Sequence, residues 1–336
     1  QRCILKCMDE LAPIAELNGG YLMRHQLNDL GYSDALIRRA RRDGLLTRLR
    51  HGTYVVSAVW RMLSATQRHA VLVRSVLDKL GSSVVASHQS AAALHGHDLY
   101  GVELTNVHVT RTDGYRGRRE AGVVYHEGVI ESDEDISELG GRLVTEPVRA
   151  VFEARSVIST EAGIVLAGSA MRAGHVTKVQ LEDDSHRFDH WPGTRRARLA
   201  IRLADGRLET VGEARSLYMM WRHGIPHPEL QWRVVTSAGI IVARTDFAWI
   251  EARHTGEFDG LVKYGRLNPY ATDPGRIIAD EKIREDLVRD ELLGMSRWVW
   301  SELEPAVQAK TAIRIKRGIE VSRRLYRHNA TTIPLS

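Results

Sequence analysis

Three carboxylates at strand spacing are the first chemistry this sequence offers. Asp246 stands in RTDFAW, and Glu257 and Asp259 stand in EFDG, with Glu257 eleven positions after Asp246. A hairpin of that length lays Asp246 beside Glu257. Glu257, Asp259, Leu261 and Lys263 alternate, so they share one face of an unbroken strand. Glu213, early on a preceding helical segment, can point at the same spot. Paired carboxylates hold Mg2+ (or Mn2+), which polarises a phosphate and lowers the pKa of an attacking water. A Lys beside them orients that water or neutralises developing charge. The set reads as a phosphodiester-cleaving site: Asp246 and Glu257 bind metal, Glu213 and Asp259 assist, and Lys263 positions the water. A lone Asp in a strand followed by EFDG also reads as a strand end and a turn, and that alternative stands.

The second chemistry is cationic. LIRRARRDGLLTRLRHG, residues 36–52, carries Arg38, Arg39, Arg41, Arg42, Arg48 and Arg50 against one acid, Asp43, and closes on His51. A further basic run, KTAIRIKRGIEVSRRLYR, spans residues 310–327, and residues 127–138 are acidic. Uneven charge of this kind suits one surface facing double-stranded DNA. A solvated helix face has the same composition.

The elements needed to position these groups are readable in pattern. MDELAPIAELNGG and MRHQLNDLG are helical and stop at glycines. Ser33 caps a third helix, DALIRRARRD, and Gly44 ends it. Leu36, Ile37 and Ala40 are expected to face inward, with Arg38, Arg41 and Arg42 outward. LLTRLRHGTYVV alternates on both sides of His51-Gly52, which predicts a hairpin. Three helices and a ribbon make a winged helix-turn-helix, whose third helix enters the major groove. Arginine there suits phosphates and the guanine edge. Residues 61–185 read as a small α/β region: VVASHQSAAALHGHDL as a helix, NVHVTR and GVVYHEG as strands, then two helices. His88, His95 and His97 raise the question of a metal, but no Cys or paired carboxylate joins them at ligand spacing. Helix-end and packing roles are expected for them. From residue 186 onward the order is helix, three strands, a long amphipathic helix over residues 280–295, and a last strand. That order is the core of the PD-(D/E)XK nuclease fold.

Composition excludes several classes. The 336 residues are 43% hydrophobic and 26% charged, with net charge +5. At roughly 150 residues per domain this is an α+β chain of two or three domains, neither disordered nor a coiled coil. The reading divides it at residues 1–60, 61–185 and 186–336. No apolar run approaches the ~20 residues of a membrane span. The first twenty residues carry acids and do not read as a signal peptide. Cys3 and Cys7 make no disulfide framework. The expected setting is the cytoplasm, with no membrane partner and a homodimer as the expected assembly.

Two resemblances sharpen these readings. GGYLMRHQLNDLGYSDALIRRARRDGLLTRLRHGTYVV resembles the N-terminal winged helix of AbiEi-type antitoxins, through Gly44, Leu45, Arg48, Leu49, Gly52 and Tyr54. The run Ser87, His88, Ser90, Ala91, Ala92, Leu94, His95 and Gly96 resembles the family's following region. Such proteins repress transcription in bacterial toxin–antitoxin and abortive-infection operons, which implies a cognate toxin as partner. The third region resembles nuclease-like domains related to very-short-patch-repair endonucleases. The residues that carry this are Glu213, Gly224, Pro226, Pro228 and Gln231, then Arg244, Asp246, Phe247 and Trp249. Glu257, Asp259, Gly260, Lys263 and Tyr264 follow, and last Glu281, Lys282, Arg284, Glu285, Arg297 and Trp300. Asp259 stands where a strict E-x-K motif has Lys, and Ala214 where Ser is usual. The resemblance implies a Mg2+-dependent endonuclease, in phage defence, targeted by a winged helix. The alternative is a repressor whose nuclease-like domain is catalytically inactive.

Overall fold

In the computed structural model the Gly19-Gly20 pair follows the first helix, α1 (Arg2–Leu17), as its sequence predicts. The structure describes residues 2–128, 130, 135–183, 185, 193–236, 238–260, 288 and 290–326. Their contacts divide the chain into two units, residues 1–166 with 175–198, and residues 167–174 with 199–336. Among the described residues the architecture is mixed α+β with three sheets.

The first unit begins with a three-stranded sheet. After α1 come β1 (Leu22–Met23), α2 (Arg24–Asp29) and α3 (Asp34–Arg42). The ribbon β2 (Leu46–Arg50) and β3 (Thr53–Val56) completes the sheet in the order β1-β3-β2. Leu11, Leu22, Leu27, Ile37, Leu46 and Val56 form its core. Of the expected inward residues of α3, Ile37 is 2% exposed and Ala40 half-buried, but Leu36 is 47% exposed.

The same unit continues through α4 (Ser57–Met62) and α5 (Ala65–Leu80), the latter opened by a Ser64/Gln67 capping box. A six-stranded sheet follows. Its strands are β4 (Val84–Ala86), β5 (Val107–Arg111), β6 (Arg118–Glu120), β7 (Val123–His126), β8 (Ile136–Glu138) and β9 (Leu143–Thr145). Their order is β6-β7-β5-β4-β9-β8, with β4/β9 and β5/β7 parallel. The segment expected as one helix from Val84 is a strand, then α6 (His88–Leu94). The β-branched pair Val84-Val85 takes the sheet, and the alanines take the helix. Beyond lie α7 (Pro147–Val157), α8 (Thr160–Arg172), of which residues 167–172 count to the second unit, and α9 (Lys178–Asp183). Asp78 on α5 ties the small sheet to the large one. It accepts the Tyr21 hydroxyl, and Arg142 donates to it from Nε and Nη2 at 2.5 and 2.7 Å. Burial, then the hydrogen bond to Asp78, pushes the Tyr21 phenol up to about 12.

The second unit is built on a four-stranded sheet. α10 (Thr194–Leu203) leads to α11 (Val211–Arg222), then β10 (Glu229–Val235), β11 (Ile241–Trp249) and β12 (His254–Asp259) as an antiparallel meander. β13 (Gly294–Val299) adds parallel to β12, and α12 (Gln308–Leu325) packs behind. The expected helix over residues 280–295 lies mostly outside the described residues, and its end is the start of β13. Trp298 and Phe247 are fully buried, with ring centroids 5.4 Å apart. Trp298 donates from Nε1 to Ser216 Oγ of α11 at 2.7 Å. Among the described residues, no helix is long and apolar enough to cross a membrane.

Helix α11 approaches β12 so closely that a Cβ at Gly212 would stand 1.9 Å from the Phe258 ring. In a helix, Ala is better than Gly by about 1 kcal/mol, but overpacking a core costs about 1–3 kcal/mol. Gly212→Ala is therefore expected to lower the urea midpoint of the second unit, while a distant helical Gly→Ala raises it.

Candidate nucleic-acid interface and the strand carboxylates

The arginine-rich helix is held by its ends. Leu36 N–H donates to Ser33 Oγ at 3.4 Å, and Arg24 of α2 grips Asp34 in the first turn with two hydrogen bonds. Gly44, at φ +73°, stops the helix, and Leu45 N–H returns to the Ala40 carbonyl at 2.9 Å. Between α3 and β2 lies a cleft of about 740 Å³ whose lining includes Arg38, Arg41, Arg42 and Arg48. All four are exposed. Arg39 lies off this cleft and pairs with Asp43 at 3.6 Å. Arg48 donates to His51 Nδ1 at 3.2 Å and to the Arg50 carbonyl at 3.3 Å, which stiffens the ribbon turn. Arg50 donates to the Ala121 carbonyl at 2.7 Å, at the β6–β7 turn. Thus the fold gathers Arg38, Arg41, Arg42 and Arg48 into one cleft, with His51 at its ribbon, and directs Arg39 and Arg50 to protein partners.

The carboxylates of the second unit come together in part. The register sets Phe247 opposite Gly256, so Asp246 and Glu257 are neighbours across β11 and β12. Asp246 Oδ2 accepts the Phe258 N–H at 2.8 Å. Glu257 is 6% exposed and pairs with Arg297 of β13 at 3.0 Å. Asp259 is the last residue of β12, and Lys263 lies outside the described residues. Glu213 is 4% exposed. It accepts from Glu209 N–H at 2.9 Å, Thr210 Oγ1 at 2.7 Å and Gln231 Nε2 at 2.9 Å. With Thr210 it forms the capping pair that starts α11. Burial raises its pKa against these donors.

A third constellation was not legible in spacing. His108 on β5 and His126 on β7 meet His88 at the start of α6. His108 Nδ1 and His126 Nε2 are 2.9 Å apart, and His88 stacks on His126 with ring centroids at 3.7 Å. Behind His88 lies a buried ionic network, in which Arg149 donates to Asp135 at 2.7 Å and to Glu153 at 2.8 Å. Both strands are recognisable as sequence, but only parallel pairing of β5 with β7 brings their histidines together. The histidines weighed with His88 go elsewhere: His95 bonds the Thr145 carbonyl at 2.8 Å, and His97 bonds His175 at 3.0 Å.

Comparison with known proteins bears on the first unit. Residues 9–57 match the family model described as a transcriptional regulator, AbiEi antitoxin. This span contains α2, α3 and the β2–β3 ribbon, so the arginine cleft lies within the segment that is similar to that family. The chain is also 29% identical over 205 residues to the uncharacterized proteins Rv2248 and MT2308 of Mycobacterium tuberculosis strains H37Rv and CDC 1551. Those matches cover 60% of this chain and 73% of each relative.

Burial predicts an acid limit to stability. Desolvation lowers His69 to about 4, His97 to about 3 and His254 to about 4, from an ordinary 6.5. Each is neutral when folded and takes a proton when unfolded below pH 6.5. Their stabilisation is complete above that pH and is lost as pH falls toward 4 and 3. Unfolding free energies from urea titrations should therefore fall between pH 6.5 and 4, with a slope of up to about 1.4 kcal/mol per pH unit for each histidine. His254→Phe, which also loses two serine hydrogen bonds, should be less stable at pH 7 but should flatten that slope.

Proposed function

We propose that this protein is a DNA-binding transcriptional regulator of the AbiEi antitoxin kind, and that α2, α3 and the β2–β3 ribbon work as a winged helix-turn-helix. The observation that carries this reading is the cleft lined by Arg38, Arg41, Arg42 and Arg48 inside the matched regulator segment. An exposed cluster of guanidinium groups is complemented best by a polyanion. α3 enters the major groove, where Arg38 and Arg41 reach guanine edges, and Arg42 and Arg48 take phosphates. Arg39 and Arg50, already engaged with Asp43 and Ala121, contribute less. The protein occupies its own promoter, as a homodimer, with a toxin encoded nearby as its partner.

Gel-shift titration on the DNA upstream of its own gene tests this. Arg38→Ala/Arg41→Ala should cost about 1–3 kcal/mol per base contact and relax sequence preference. Arg48→Ala should weaken all sequences alike and lower the salt slope by about one. Unchanged affinity in the double variant would remove α3 as the reading head.

A second reading rests on Asp246 and Glu257 being neighbours across β11 and β12. We read the helix, the three-stranded meander and the parallel β13 as a PD-(D/E)XK-like scaffold. Two oxygen-donor carboxylates suit Mg2+ in type. When bound there, the ion would supply a water of lowered pKa for phosphodiester hydrolysis. Around it Arg297 steadies Glu257, the Phe258 N–H orients Asp246, Glu213 starts the helix behind, and Asp259 and Lys263 complete the proposed set. Plasmid nicking with Mg2+ or Mn2+ should then occur in the parent and be lost in Glu257→Gln. Equal absence of nicking in both leaves the domain a binding scaffold behind the regulator.

A further inference from the structure

We propose that His88, His108 and His126 form a binding site for one divalent transition-metal ion of the zinc type, in the six-stranded-sheet part of the first unit. One nitrogen from each ring lies within 4.8 Å of the others. A tetrahedral ion bound by imidazole at about 2.0–2.1 Å holds its nitrogens roughly 3.4 Å apart. The 2.9 Å pair of His108 and His126 need only open slightly, and His88 need close by at most about 1.4 Å. Three imidazoles with no thiolate and no required carboxylate favour zinc, nickel or copper over magnesium or calcium.

The surroundings carry the features of such a site. His88 Nδ1 faces Ser87 Oγ at 3.1 Å and Glu153 at 3.8 Å, so Nε2 is the nitrogen it offers. A carboxylate behind a ligand histidine is the usual way its tautomer and orientation are set. The His88 backbone is held at φ +55°, in the left-handed region that a non-glycine residue rarely adopts without cause. Gln89 fits such a site. Its Nε2 donates to His108 Nε2 at 2.8 Å, which puts the His108 proton on Nδ1, shared with His126. Its Oε1 is buried and has no hydrogen-bond partner among the described residues. An ion at His108 Nδ1 moves that proton to Nε2, and rotation of the Gln89 amide then gives it Oε1 as acceptor. Gln89 can thus accept from the His108 Nε2–H tautomer that leaves Nδ1 to an ion. His108 and His126 are half-exposed, which leaves the fourth position of an ion open to solvent or to a ligand.

The test uses the full chain without an affinity tag, with Co2+ as a spectroscopic probe and Zn2+ as competitor. The parent should bind one equivalent of Co2+ with the intense visible absorption of a four-coordinate site, and Zn2+ should bleach it. His126→Gln should weaken binding at least tenfold, while His25→Gln, on the exposed face of α2, should leave it unchanged. No absorption in the parent, or the same spectrum and stoichiometry in His126→Gln, overturns the proposal. If His126→Gln fails to fold by circular dichroism, X-ray absorption of the zinc-loaded parent decides. Three imidazole ligands support the site, and one or none removes it.

Discussion

A guanidinium cannot leave water without a partner, and this chain carries many of them. Burying an ion alone costs several kcal/mol, so each arginine is either answered in the core or left at the surface. Arg149 is answered by Asp135 and Glu153 beneath the large sheet. Arg142 is answered by Asp78, and the same carboxylate takes the Tyr21 hydroxyl, so one charge pair joins two sheets. Arg215 lies under Trp300 in cation–π contact, with its Nη2 on the Leu303 carbonyl. Arg38, Arg41, Arg42 and Arg48 are among those left at the surface, and the fold gathers them in one cleft.

The helix that bears most of them could not hold itself by packing. Only Ile37 of α3 reaches the core fully. Its place is fixed instead by polar devices at its ends: the Ser33 cap, the Arg24–Asp34 pair and the Gly44 stop. This leaves an outward face rich in charge on a rigidly located element, the condition for reading a nucleic acid by side-chain contact. In the second unit the same economy of polar groups has another result. Glu213 spends its oxygens on starting α11, and Glu257 is balanced by Arg297, so carboxylates of catalytic type also serve the fold.

Much of this was legible in the sequence, for local reasons. Ser33, Gly44 and Gly52 mark ends and turns through their own backbone preferences, and the alternation around His51-Gly52 is a period that any sheet must respect. The α11, β10, β11 and β12 succession is equally local, because neighbouring antiparallel strands need only short turns. Asp246 and Glu257 could be set side by side on paper because a hairpin relates them by counting.

What only the tertiary structure decided is non-local. No count relates His88 to His108 and His126, because parallel pairing of β5 with β7 requires a crossover, and the helix that brings His88 lies on a different element. Nor does spacing tell which arginine of a basic run is already engaged: Arg50 finds its acceptor in Ala121, 71 positions away, and Arg39 finds Asp43 one helical turn on. The sequence by itself determined which residues are charged, where helices stop and which strands alternate, since those depend on each residue and its neighbours. Which charges are neutralised and which histidines meet was decided by packing, since desolvation is set by everything that surrounds a group.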